Sequence, residues 1–181
     1  MGRFPKDHRV TTHDVGDSRV KGDPDQVGSA MSTGPRPLVV GLGSHHGDDR
    51  AGWLVVDQLE ACGYPAEFLL RIAHSVDLLD RATPDQPLII CDACQGSGIA
   101  GRITRWLWPS DQLATLRHCG THDLSLGEVL ELGRTLNCLP GHIEIWGIEG
   151  TNWSAASEPS SAVKHAVIEL VHQLNGAERH A

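Results

Sequence analysis

No stretch of this 181-residue chain approaches the ~18 to 20 consecutive apolar residues that cross a bilayer, and its first residues lack the apolar core of a secretory signal. Basic charge is also short. Fifteen Lys and Arg against 23 Asp and Glu leave a formal net charge of -8, so no positive field exists to gather nucleic acid or an anionic membrane surface. Cysteine is sparse and odd in number: five residues, at 62, 91, 94, 119 and 138, without an export signal, point to reduced thiols rather than a disulfide framework. Internal repeats are absent. These absences lead us to expect a soluble cytoplasmic protein with neither nucleic acid nor membrane as partner.

What remains is enough for one core. Hydrophobic residues make up 40% of the chain, and a single domain of this length is ordinary. Residues 1 to 34 are rich in charge and glycine and poor in large apolar groups, which predicts a disordered extension. Met31 opens a new segment just before the first convincing strand. We therefore expect the functional domain at 35 to 176 and a short disordered tail at 177 to 181. The apolar patterning predicts strands at Pro37 to Gly43, Ala66 to Arg71, Pro87 to Cys91, Arg102 to Leu107 and His142 to Ile148. Helices are predicted at Arg50 to Ala61, Ser75 to Arg81, Leu124 to Leu136 and Ser160 to Leu174. Alternating strands and helices, with runs such as Leu88-Ile89-Ile90 that suit a sheet covered on both faces, specify a three-layer α/β/α sandwich around a mostly parallel, roughly five-stranded sheet. No helix precedes Arg102 to Leu107, which makes it the candidate antiparallel strand.

In such a sheet, ligands bind beyond the carboxyl ends of the strands. Three polar segments fall there: Gly41-Leu42-Gly43-Ser44-His45-His46-Gly47-Asp48-Asp49, then Asp92, then Thr121-His122-Asp123. The first is not a dinucleotide fingerprint, because His46 stands where the third glycine belongs and two aspartates would oppose a phosphate. Either aspartate could cap the following helix, but one would suffice for that. Asp92 ends an apolar strand, where a carboxylate needs a partner or solvent; the alternative is a turn role for the Gly96-Ser97-Gly98 loop. Asp48 or Asp49 together with Asp92 and His122 would form an open oxygen and nitrogen site for a cation such as nickel, zinc or iron. Cys91, Cys94, Cys119 and His122 have spacing compatible with a closed zinc site, opposed by the placement of Cys91 inside a core strand. Trp106, Trp108 and Trp153 are candidate docking residues, at least one of them expected in the core.

Val39-Val40-Gly41-Leu42-Gly43, Gly47-Asp48-Asp49 and Ala51-Gly52, followed by Ile89-Ile90-Cys91-Asp92-Ala93 with Gly101, resemble the hydrogenase maturation endopeptidases. Thr121-His122-Asp123-Leu124-Ser125-Leu126, Glu128-Val129-Leu130 and Ile145-Trp146-Gly147-Ile148-Glu149 extend the resemblance, in order, over residues 37 to 174. Two departures mark a divergent subgroup: Ser44 stands in place of the family's usual asparagine, and the loop before the acidic pair is one residue shorter. The resemblance implies a peptidase, with Asp49, Asp92 and His122 as the metal-contacting and catalytic positions. It further implies that the chain removes the C-terminal extension of a nickel-iron hydrogenase large-subunit precursor after nickel insertion. The nickel would be carried by the precursor rather than bound permanently. The contrasting expectation is a non-proteolytic metal-binding or scaffold protein on the same fold.

Overall fold

The computed structural model describes residues 34 to 109 and 124 to 180, within a unit spanning Met31–Ala181. The expected N-terminal extension lies, but for its last residue, outside the described residues. The first strand, β1 (Leu38–Leu42), is buried at every position, as its unbroken apolar run requires. A single 3₁₀ turn (Gly47–Arg50) leads into α1 (Ala51–Ala61), and β2 (Leu69–Ile72) follows. Residues 66 to 68 form a short turn rather than the start of β2, because Phe68 N–H closes back onto the Pro65 carbonyl at 3.0 Å. The brief α2 (Leu78–Arg81) connects to β3 (Leu88–Cys94). Next come β4 (Ile103–Trp108), α3 (Leu126–Leu136), β5 (Ile143–Glu149) and α4 (Ser161–His180).

The five strands form one sheet in the order β2-β1-β3-β5-β4, parallel throughout except for β4, which runs antiparallel to β5. The fold is thus the expected α/β/α sandwich, including its one antiparallel strand. α1 and α4 cover one face, where Val39, Cys91, Ala93 and Ile148 meet Val55, Leu59, Val163 and Leu170. α2 and α3 cover the other, where Val40, Leu42, Ile90 and Ile145 meet Leu78, Leu126 and Leu130. Strand β3 runs beyond its expected end at Cys91, since pairing with β5 continues through Asp92↔Gly147 to Cys94↔Glu149. α4 likewise passes its expected end at Leu174 and takes in most of the segment expected as a disordered tail, in keeping with the helix-forming Ala177, Glu178 and Arg179.

α3 shows local sequence and tertiary packing in agreement. Ser125 and Glu128 form a reciprocal capping box, with Ser125 N–H donating to Glu128 Oε2 at 2.8 Å, and Asn137 closes the far end at a φ of 54°.

Glycine allows the first helix to approach the sheet. A Cβ on Gly52 would overlap the carbonyl oxygens of Cys91 and Leu42, so the start of α1 rests directly on the carboxyl ends of β1 and β3. Gly52→Ala should therefore lower unfolding stability by about 2 to 3 kcal/mol through overpacking. Gly127→Ala, in α3 with open space around its Cβ, should be neutral or stabilising by up to about 1 kcal/mol. Urea titrations of the two variants check the contrast.

Candidate active site

The chain leaves β1 toward β2 in one direction and β3 toward β5 in the other, so the sheet's switch point lies between β1 and β3. Gly41 pairs with Cys91, which places the turn after β1 beside Asp92. The 3₁₀ turn bearing Asp48 and Asp49 packs against β3. Asp92 is 7% exposed and lies within β3, opposite Gly147, rather than after the strand. By strand alternation it shares the α2/α3 face with Ile90 and Cys94. Its negative charge helps to raise the thiols of both Cys91 and Cys94. Asp49 is half-buried, and its carbonyl receives Ser44 N–H at 3.2 Å, closing the shortened turn on itself. His122 lies outside the described residues, as do Thr121 and Asp123. The described chain resumes at Leu124, whose carbonyl accepts from Ser75 Oγ at 2.9 Å just beyond β2. Among the described residues, no three His, Cys, Asp or Glu side chains gather to hold a metal ion.

The two adjacent aspartates have separate environments. Asp48 is completely buried and accepts three backbone N–H groups: Thr151 and Asn152 at Oδ2, both at 2.8 Å, and Ser160 at Oδ1, at 2.6 Å. Asp48 N–H in turn donates to the Asn152 carbonyl at 2.7 Å, and Gly47 N–H to that of Ser157 at 3.0 Å. Asp48 therefore secures the β5–α4 loop and the start of α4. It does not cap α1, which has no side-chain cap. Burial alone would push its carboxyl up, but the amides of Thr151, Ser160 and Asn152 outweigh burial and hold it below the usual aspartate value.

A third buried carboxylate was missed in the sequence. Glu149, 3% exposed at the end of β5, accepts N–H from Gly96 and Gly98 at 2.9 Å each. Burial opposes its ionisation, and the amides of Gly96, Gly98 and Ser97 with the Ser97 hydroxyl reverse that, lowering it overall. The loop that Asp92 was considered to organise is thus held by Glu149. Its only advance signal was a carboxylate ending an apolar strand, the same pattern as Asp92.

The histidines of the turn have ordinary packing roles. His46 Nδ1 accepts from Ala156 N–H at 3.0 Å, and the His45 ring sits edge-on to Trp53 at 4.7 Å between centroids. The zinc alternative fails in β3 itself. Cys91 enters the α1/α4 core and Cys94 the opposite one, so the pair cannot share an ion. Burial foremost, then neighbouring carboxylates, push the Cys94 thiol up to about 12 and that of Cys91 higher still. Of the three tryptophans, Trp106 is core and Trp108 packs against the core. Trp153 packs beside the α1/α4 cluster with its indole N–H buried and lacking an acceptor among the described residues.

With this geometry established, comparison with solved structures is decisive for the architecture. The hydrogenase maturating endopeptidase HybD from E. coli superimposes with a TM-score of 0.63 at 20% identity, over 80% of this chain and 93% of that one. The fold is that of the hydrogenase maturation endopeptidases. The [NiFe] hydrogenase maturation protease HycI from Thermococcus kodakarensis KOD1 gives 0.59 at 21% identity, covering 83% and 96%. The hydrogenase 2 maturation peptidase from Thaumarchaeota archaeon SCGC_AB-539-E09 gives 0.53 at 25%, covering 78% and 97%. No family model and no curated protein sequence matches this chain. The maturation-endopeptidase fold therefore persists here at low sequence identity.

Two outcomes follow from these environments. Asp48→Asn should cost roughly 2 to 4 kcal/mol at neutral pH, since it removes a buried charge that satisfies three amides. Because the folded carboxyl titrates below the unfolded one, that stabilisation is complete above about pH 4 and fades as pH falls through the lower folded value. Denaturation of both proteins across this range should show the gap closing in acid. Alkylation of the native protein followed by peptide mapping should label exposed Cys62 and spare Cys91 and Cys94.

Proposed function

We propose that this chain is an endopeptidase that removes a C-terminal extension from a nickel-iron hydrogenase large-subunit precursor in the cytoplasm, after nickel has been inserted. The observation that carries this reading is the placement of Asp49 and Asp92 on adjoining segments at the β1/β3 switch point of a maturation-endopeptidase fold. Asp48, fully engaged by the β5–α4 loop, leaves Asp49 as the aspartate of that turn available for chemistry.

The donor chemistry fits a metal brought by the substrate. Two carboxylates offer hard oxygen donors, too few to enclose an ion by themselves and sufficient to meet one whose other ligands come from elsewhere. His122, outside the described residues, would complete the set with an imidazole. Such a site would meet nickel carried by the precursor through Asp49, Asp92 and His122. Peptide hydrolysis then requires a polarised carbonyl and an activated water. A divalent ion held there would supply the polarisation, and a carboxylate of this chain would accept the water proton and return it to the leaving amine. Burial of Asp92 and closure of the turn by Ser44 limit the freedom of both groups, a prerequisite for orienting a single bond.

Incubation with the unprocessed large subunit from the same cell tests this directly, with mass spectrometry following the precursor. Loss of one C-terminal peptide is expected with the native protein. Asp49→Asn and Asp92→Asn, folded by circular dichroism, should process at least 100-fold more slowly. Full processing by Asp92→Asn would remove that residue from the mechanism, and no cleavage by the native protein would overturn the proposal.

A further inference from the structure

α1 and α4 lie side by side on one face of the sheet, and between their outward sides runs a groove of about 290 Å³. Leu54, Val167 and Ile168 form its apolar floor, with Ile168 49% exposed, while Arg50 and Lys164 supply cations. Arg50 pairs with no carboxylate among the described residues. Lys164 has only a loose contact with Glu158, at 3.5 Å, with Glu158 79% exposed. Arg50 and Lys164 face one carboxylate, Glu158, in the groove lining, while the Asp48 carboxylate beside it is already engaged by the Ser160 amide.

Arg50 directly follows Asp49, so the groove is continuous in the chain with the candidate site. Its volume is near the lower limit of ligand pockets, about 300 Å³, and suits one or two side chains of an extended segment rather than a folded partner. We infer that the groove seats a segment of the precursor flanking the scissile bond, with an apolar side chain on Leu54, Val167 and Ile168 and an Asp or Glu side chain paired with Arg50 and Lys164. This rests on the endopeptidase reading and adds to it a determinant of substrate choice. Contacts remote from the reacting carbonyl hold the bond in place, which is how binding energy becomes specificity in a protease acting on one protein.

The test uses a fluorescent synthetic peptide spanning the processing junction of the precursor, titrated by anisotropy into the full-length Asp92→Asn protein so that no cleavage intervenes. Adding Arg50→Gln and Lys164→Gln should weaken binding about tenfold or more, and Ile168→Asp should do the same. A peptide with its Asp and Glu replaced by Asn and Gln should bind the unaltered groove weakly yet lose nothing further on the double-substituted one, the signature of a direct pair. Amidating only the peptide's terminal carboxylate should leave affinity unchanged. Equal affinity with and without the groove cations overturns the inference, as does a penalty for peptide neutralisation that is the same in both proteins. Ile168→Asp splitting a dimer in sedimentation while leaving peptide affinity intact would assign the groove to a second copy instead, and also overturns it. Processing of the full-length precursor by the native protein separates the two levels. Cleavage with a failed peptide test sinks the groove alone, whereas absence of cleavage sinks the endopeptidase reading.

Discussion

The Asp48 carboxylate is the constraint on which the candidate site depends. It is buried, ionised and bonded to backbone amides of Thr151, Asn152 and Ser160, residues more than a hundred positions away in the chain. Those bonds join the turn after β1 to the loop after β5 and fix where α4 begins. α4 then shares a core with α1, whose own start rests on the sheet through Gly52. Releasing Asp48 would therefore loosen the turn that presents Asp49, the loop facing it, and the register of the two helices that form the basic groove.

Glu149 repeats the device at the end of the strand that leads into the Asp48-bound loop. It sits at the carboxyl end of β5 and holds the amides of the Gly96 to Gly98 loop, which leads out of β3 just beyond Asp92. Each of the two loops bordering the site is thus held by a buried carboxylate that accepts main-chain hydrogen bonds. This arrangement needs few side chains.

Much of the architecture was legible because strongly apolar strands and amphipathic helices have different periods, and because the absence of a helix before Arg102 left β4 only the antiparallel option. The length of β3 was not legible. Asp92 and Cys94 look like the end of an apolar run, and only the pairing with β5 keeps them in the strand. Asp48 and Asp49 are the same residue type in adjacent positions, so local pattern could not tell which of them belongs to the buried frame. That distinction resides in contacts with residues 151 to 160. Glu149 stayed hidden for the same reason, since its main partners are the backbone amides of Gly96 and Gly98, which carry no side-chain signature. The cysteine spacing misled in the opposite direction: a two-residue gap suits a metal on a turn, but on a strand it sends the two thiols to opposite faces.

On the proposed reading, Asp49 and Asp92 would meet a metal held by the substrate. The most direct test is to present the native protein with the same large-subunit precursor in nickel-loaded and nickel-free forms and to follow precursor mass with time. The account predicts loss of the C-terminal peptide from the loaded form alone. Equal cleavage of the nickel-free precursor would contradict it.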